Sequence, residues 1–493
     1  MKFALFVTDS KVGTSHKLLP AALPTDTMES GKATRDDTSI KMAQEDAMSV
    51  AEEHILIAPE EEKALLRKID MRLMPTIWVL YLLSYADRTN IGNAKVAGMA
   101  DDLHLTSNQY SMTLVIFFIT YVIFEIPSNL ILARTRPSLY IPAIMVAWGA
   151  VTCCMSLVHS YEGLLAARVV LGIFEAGFAP GIMFILSSWY KKHEQAKRFT
   201  IFYSAAVLSG AFGGIVAGAI TGSLDGVHGI RGWKWLFIIE GVATIGCAII
   251  AIPLLLDFPM NTRGFTPVER ELAIRRLLAD NVTARTEDEA PMAHLEAVRR
   301  SLTDWRVWML AIGYVSLGGS GTMSYFYPTL VQGLGYTSHM AQYMTTPIYA
   351  VAFVCCLVTG YLNDKFPTIR GLFVAGLVGV ACICAIVVCA VYNFVARYVL
   401  LVFMASGLLS GNALSLAYAS STFAPMRAEV RAVSLAWVNT IANLSGIFGA
   451  YFFPSEDGPK YIMGFALVSG LSALCVLIYG SSHFLIRKYP AHQ

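Results

Sequence analysis

Between Met74 and Met99 the chain reads MPTIWVLYLLSYADRTNIGNAKVAGM, an apolar and aromatic run of membrane-crossing length. Past its middle it carries Asp87, Arg88, Thr89 and Asn90. An ionised Arg near the centre of a spanning helix costs roughly 2.5–3.5 kcal/mol on insertion scales, and Asp is similar. Such residues persist where they are paired, hydrated or in use. Two readings are open: a structural ion pair that locks helices together, or an anion site beside a proton-carrying carboxylate.

That run belongs to a series. Apolar segments recur at roughly 74–99, 110–133, 139–158, 163–190, 199–223 and 235–256, then at 305–331, 340–362, 371–392, 397–424, 431–453 and 461–485. A polar stretch from Asp257 to about Thr303, with arginines interleaved with acids, divides them six and six. The pattern predicts an all-α membrane protein with twelve transmembrane helices in two six-helix bundles around a central cavity. The expected divisions are a disordered tail over 1–58, a first bundle over 59–256, a linker over 257–302, a second bundle over 303–486 and a tail over 487–493. Within the first bundle, PEEEKALLRKIDMRL from Pro59 puts acids in a first turn and bases later, predicting an amphipathic lead-in at the membrane surface. MKFALFV at the start is too short and too soon interrupted to read as a signal peptide.

Composition excludes the main alternatives. With 55% hydrophobic and 15% charged residues, the chain is too apolar for an ordinary soluble globule. A net charge of +2 offers a nucleic acid nothing to hold. All nine cysteines fall inside apolar runs, where they act as small hydrophobes, so neither a disulfide framework nor a metal site is indicated. The histidines sit in loops or at span ends without partners, which disfavours an enzyme, and no cofactor is implied.

Lys and Arg placement sets the orientation. Arg134 and Arg136, Lys191 to Arg198, Lys365 and Arg370, Arg427, Arg487 and Lys488 fall on one set of loops, and the alternate loops carry few. Both termini and the linker are expected to face the cytoplasm of a multi-pass protein in the cell membrane. The eighth span ends in Gly360-Tyr-Leu-Asn-Asp364-Lys365, with Arg370 following, a turn that reads as a gating motif. Its counterpart after the second span has Ala133 in place of the acid, before Arg134.

Charge inside the spans is one-sided. The first half holds Asp87, Arg88, Glu125, Arg168 and Glu175, whereas the last six spans have no charge away from their ends. The first bundle should therefore handle charge. The second should supply hydroxyls, amides and aromatic surface, with Tyr325, Asn412 and Asn439 as candidates. Arg168 and Glu175 are two turns apart on one face of the fourth span. Counting rise along the first and fourth spans predicts that two guanidiniums and two carboxylates meet at one level, with near-zero net charge. Burial favours the neutral form of an acid, and a neighbouring guanidinium favours the charged one. An arriving carboxylate that captured the arginine would thus leave an acid ready to bind a proton.

Four motifs in order, YLLSYADRTNIGNAKVAGM, FEIPSNLILAR, RVVLGIFEAGFAPG and RGWKWLFIIEG, resemble the fungal allantoate-permease type of the anion:cation symporter family, within the major facilitator superfamily. The likeness runs from about Arg67 through the last span. It implies Arg88, Arg168 and Tyr121 as substrate-binding residues, and Asp87 and Glu175 as proton-coupling residues; Asn90, near Arg88 in the first span, is a further substrate-binding candidate. Ala133 departs from the acid usual in the superfamily's loop motif. The function implied is proton-coupled symport of a small organic anion of the allantoate, nicotinate or pantothenate class by a monomer in the bilayer. Export of an acidic metabolite is the alternative.

Overall fold

The computed structural model describes residues 59–132, 134–279, 294–423 and 425–489, and among them every regular element is helical. The expected tail over 1–58 lies outside the described residues, as does Ala133. The first crossing is α1 (Pro59–Ala94), continued by a π turn over Lys95–Met99. Gly98 in that turn has a φ of 100°, a conformation that side chains with a Cβ rarely adopt. Then come α2 (Ser107–Leu132), α3 (Pro137–Met155), α4 (Tyr161–Glu175) with α5 (Phe178–Trp189) as one broken crossing, α6 (Lys192–Ser223) and α7 (Gly232–Leu254). The linker contributes α8 (Pro267–Ala279) and α9 (His294–Thr303).

The second half repeats the plan with more interruptions. Its seventh crossing is α10 (Trp305–Gly321), a tight turn over Thr322–Phe326 and α11 (Tyr327–Gln332). The eighth is α12 (Ser338–Tyr343) with α13 (Thr345–Lys365); α14 (Arg370–Ala390) and α15 (Phe394–Phe423) follow. The eleventh is α16 (Ala428–Asn443) with α17 (Ser445–Gly449), and the last is α18 (Ile462–Lys488). Nine stretches among the described residues are long and apolar enough to cross a membrane. The first, seventh and eleventh crossings complete twelve. They fall short of that measure because charges flank the apolar part of α1 and because the other two are broken. Gly318, Gly319, Gly321 and Pro328 account for the break in the seventh, since neither residue type supports helix continuation.

The lead-in differs from the expectation of a separate surface helix. It is continuous with α1 and is gripped by ion pairs: Lys68 to Glu269 at 2.7 Å, Asp70 to Arg198 at 2.7 Å, and Glu62 to both Lys191 and Arg276. Arg276 on α8 is fully buried. It donates to both oxygens of Glu194 at 2.6 and 2.7 Å and to the Trp189 carbonyl at 3.3 Å. The linker is thereby divided. Helix α8 belongs to the first bundle, while α9 packs on α16 through Ser301 and Ser434, whose hydroxyls are 2.9 Å apart.

The bundles meet on the side away from the basic loops. Ser111 donates to the Ala450 carbonyl at 2.7 Å, and the Ser455 amide donates to Ser107 at 2.9 Å. Gln342 on α12 is fully buried; its amide donates to the Asn93 carbonyl at 3.1 Å and its oxygen accepts from Thr221 at 2.6 Å. One side chain of the second bundle thus holds the first and fifth crossings together.

Removing Arg276 takes the guanidinium from Glu194 and leaves Glu62 with Lys191 alone among the described residues. Breaking a buried pair of this kind costs about 3–5 kcal/mol. Arg276→Ala should lower the melting temperature and speed amide hydrogen exchange over 267–279, as mass spectrometry would read. Partial burial pushes the Glu62 carboxyl up, but hydrogen bonds from Lys191 and Arg276 outweigh it and hold the group below its ordinary 4.5. Its contribution is therefore complete above that ordinary value and is lost as pH falls through the lower folded one. The same exchange should accelerate in wild type only below about pH 4.5.

Candidate functional site

Arg88 and Glu175 form the centre. Arg88 lies on α1, and its Nε and Nη2 donate to Glu175 Oε1 at 2.9 and 2.7 Å. Ser84, one turn earlier on α1, donates to the same oxygen at 3.2 Å. Glu175 is fully buried, at the point where the fourth crossing breaks between α4 and α5. Among the described residues its Oε2 has no partner. The Arg88 guanidinium also lies over two rings of α2, 5.4 Å from the centroid of Phe117 and 4.8 Å from that of Tyr121. Contacts of this kind favour a cation held in a poorly solvated place.

Arg168 stands two turns from Glu175 on α4 and is 1% exposed. Its guanidinium lies 5.8 Å from the centroid of Phe117, so the two arginines share one phenyl ring. Among the described residues Nε and Nη2 of Arg168 are buried without a hydrogen-bond partner. A buried cation without a bonded anion is expensive, so a negative charge placed beside it would be strongly favoured.

The expected four-charge cluster is divided. Asp87 does not join Arg88 and Glu175. Neighbours on a helix point about 100° apart, so Asp87 faces the bundle wall instead. Its Oδ2 accepts from Trp148 Nε1 on α3 at 3.1 Å and from Thr244 Oγ1 on α7 at 2.8 Å. Asn90, one turn on, shares that face. It is fully buried, and neither atom of its amide has a partner among the described residues. The centre is accordingly a paired Arg88 and Glu175 with an additional cation, not a neutral quartet.

From the second bundle, Tyr325 stands in the turn between α10 and α11, edge-on to Phe118 with ring centroids 5.8 Å apart. Asn412 on α15 accepts from Tyr203 of the first bundle at 2.8 Å and from Tyr314 at 3.1 Å, all through one oxygen. Asn439 is half-buried on α16, and among the described residues no hydrogen bond ties it to this group. Lys365 is exposed at the end of α13 beside Phe366, and Arg370 begins α14. Both lie at the basic-loop end, away from the cluster; the Asp364 side chain lies outside the described ones. Tyr121 is 5% exposed and lines the Arg88 side of α2, with Glu125 one turn toward the basic loops.

Four contributors escaped the sequence reading. Lys95 in the π turn lies over Tyr110 and Phe326, at 4.3 and 5.9 Å from their centroids. Trp148 and Thr244 hold Asp87. Glu240, one turn from Thr244 on α7, is 8% exposed with Oε2 lacking a partner among the described residues. Its signal was present: a carboxylate inside the sixth apolar run, in the same class as those already noted.

The family model described as Major Facilitator Superfamily matches residues 77–450. The MFS-type transporter cnsO of Penicillium expansum is 34% identical, over 95% of this chain and 92% of its own length. The MFS transporter prlL of a fungal species is 36% identical, over 73% of this chain and 72% of its own. A solved bacterial homologue of the human lysosomal transporter Spinster, in an inward-facing and unoccupied conformation, superposes with a TM-score of 0.63. That match covers 88% of this chain and 98% of the other at 18% identity, a likeness of fold alone.

Glu175→Ala leaves the Arg88 guanidinium without its carboxylate and should destabilise the protein by about 3 kcal/mol. Glu175→Gln keeps an acceptor in place and should lose less. Thermal unfolding of the two purified variants side by side measures the difference.

Proposed function

Because the chain belongs to the Major Facilitator Superfamily, we propose that it carries a small organic anion together with a proton, as a symporter of the allantoate-permease type. The observation that supports this reading most is Arg168, a buried guanidinium without a hydrogen-bond partner among the described residues, sharing Phe117 with Arg88. A carboxylate placed between the two arginines would satisfy Arg168 and compete with Glu175 for Arg88. Glu175, deprived of its counter-charge and with Oε2 open, would then take a proton. The anion and the proton thus load together, and the filled site carries no more charge than the empty one. Tyr314 and Asn412 from the second bundle, with Tyr203 from the first, would hold the rest of the substrate.

In this reading the molecule works as a monomer in the cell membrane, with both termini and the linker in the cytoplasm. Alternating access would open the far-side contacts made by Gln342 and Ser111 while the basic ends close. The same cycle run backwards would export an acidic metabolite.

A ligand-stabilisation screen of the purified protein over a panel of carboxylates tests the anion assignment, since a bound ligand raises the melting temperature. Arg168→Met should abolish the shift given by any carboxylate that stabilises wild type, weakening binding about 10- to 100-fold, as expected for a hydrogen bond to a charged group. It should also leave the ligand-free protein as stable as wild type or more so, because it removes an uncompensated buried charge. An unchanged carboxylate response would end the assignment.

Direction and coupling need a second measurement. Uptake into cells expressing the protein should rise as the external medium is acidified. Glu175→Gln should lose accumulation against a gradient while retaining exchange of internal for external substrate. Accumulation by that variant equal to wild type would remove Glu175 from the proton path.

A further inference from the structure

The wall between α1, α3 and α7 contains a second titratable group that the cycle above does not use. Asp87 and Glu240 are 3% and 8% exposed. Asp87 Oδ2 is satisfied by two neutral donors, the Trp148 indole and the Thr244 hydroxyl. Thr244 and Glu240 are one turn apart on the same face of α7, which brings side chains within about 5–6 Å at Cβ. Helices α1 and α7 run antiparallel here, so the turn of α7 bearing Glu240 lies level with Asn90, the residue one turn beyond Asp87. Helices α3 and α7 approach closely beside this layer, at Gly149 and Gly241.

Four polar atoms in it lack partners among the described residues: Asp87 Oδ1, Glu240 Oε2 and both amide atoms of Asn90. The charged and titratable groups within electrostatic reach of Asp87 are Glu175 and Arg168 from α4, Cys153 from α3 and Glu240 from α7. For Glu240 it is Asp87. No hydrogen-bonded cation serves either carboxyl among the described residues, because Arg88 is turned to Glu175. Two ionised carboxylates in one buried layer repel, and each has an oxygen without a donor. A single proton held by the pair relieves the repulsion, because the layer's charge falls from two negative to one.

We propose that Asp87 and Glu240 hold one proton between them, which makes Glu240 a proton-binding residue in the wall behind the anion site. Its place in transport rests on the proton-coupled reading above, but the shared proton is a property of the substrate-free protein. Loss of that proton leaves two like charges across the α1 and α7 interface, on the helix that also carries Arg88.

Infrared difference spectra of the purified full-length protein, titrated from acid to alkaline pH without substrate, test it. Wild type should show a protonated-carboxyl carbonyl band that is absent from both Glu240→Gln and Asp87→Asn and retained in Glu175→Gln. Persistence of the band in Glu240→Gln would overturn the proposal. So would its loss in Glu240→Gln with survival in Asp87→Asn, because Glu240 would then hold its proton alone. Should Glu240→Gln not fold, Glu240→Asp replaces it: the band must move in frequency, and an unmoved band overturns the assignment. A failed carboxylate screen with this result intact would dispose of the anion reading and leave the shared proton standing.

Discussion

A guanidinium held inside a bundle of apolar helices dictates how the surrounding elements are arranged. Arg88 can occupy that place because Glu175 Oε1 accepts from its Nε and Nη2 and two aromatic rings cover it. Each of those supports makes a demand on the backbone. Glu175 reaches Arg88 from the end of α4, where the fourth crossing breaks. Phe117 reaches both arginines because α2 and α4 approach closely: a Cβ on Gly172 would stand 2.8 Å from the Phe117 carbonyl. The glycine belongs to the charge site as much as to helix packing.

Charge and its neutral complement are divided between the bundles. The first supplies both arginines and every intramembrane carboxylate discussed above. The second offers phenols and an amide, joined to the first by the Asn412 oxygen that accepts from Tyr203 and Tyr314. A neutral bridge of this kind is cheap to break and remake. That suits a contact between two bodies that move against each other better than an ion pair would, since parting two desolvated charges leaves each uncompensated. The ionic grip is kept for elements that stay together, as where Arg276 binds α8 to the first bundle.

Fold class was legible because a bilayer imposes it: segment length, hydropathy and basic-loop placement need no tertiary information. Arg88 and Glu175 were legible as partners because charge at membrane depth has few tolerable outcomes. The side on which Asp87 lies was not. Counting rise fixes a residue's height but not its azimuth, and the reading that gathered four charges at one level ignored the turn of about 100° between neighbours. The continuity of the lead-in with α1 was hidden for another reason. Its partners, Glu269 and Arg276, come from a linker some 200 residues away, and Arg198 from the fifth crossing. Lys95 and Glu240 each sat within quoted motifs, but isolated charges near the far ends of spans look like ordinary boundary residues until the neighbouring rings and carboxylates are placed.

The same azimuthal turn that misled the sequence reading has a mechanical consequence. Asp87 and Arg88 are consecutive on one unbroken helix, one facing α3 and α7 and the other facing α4. A rotation of the rigid helix that turned Arg88 toward a new partner would also move Asp87 against Trp148 and Thr244, whose bonds to it are directional. The two faces of α1 are therefore coupled wherever the helix itself turns. In the proposed cycle, an anion that drew Arg88 from Glu175 by rotating α1 would strain the Asp87 bonds by the same motion. No chain of intervening side chains is needed to carry that signal, because the peptide bond between residues 87 and 88 already does.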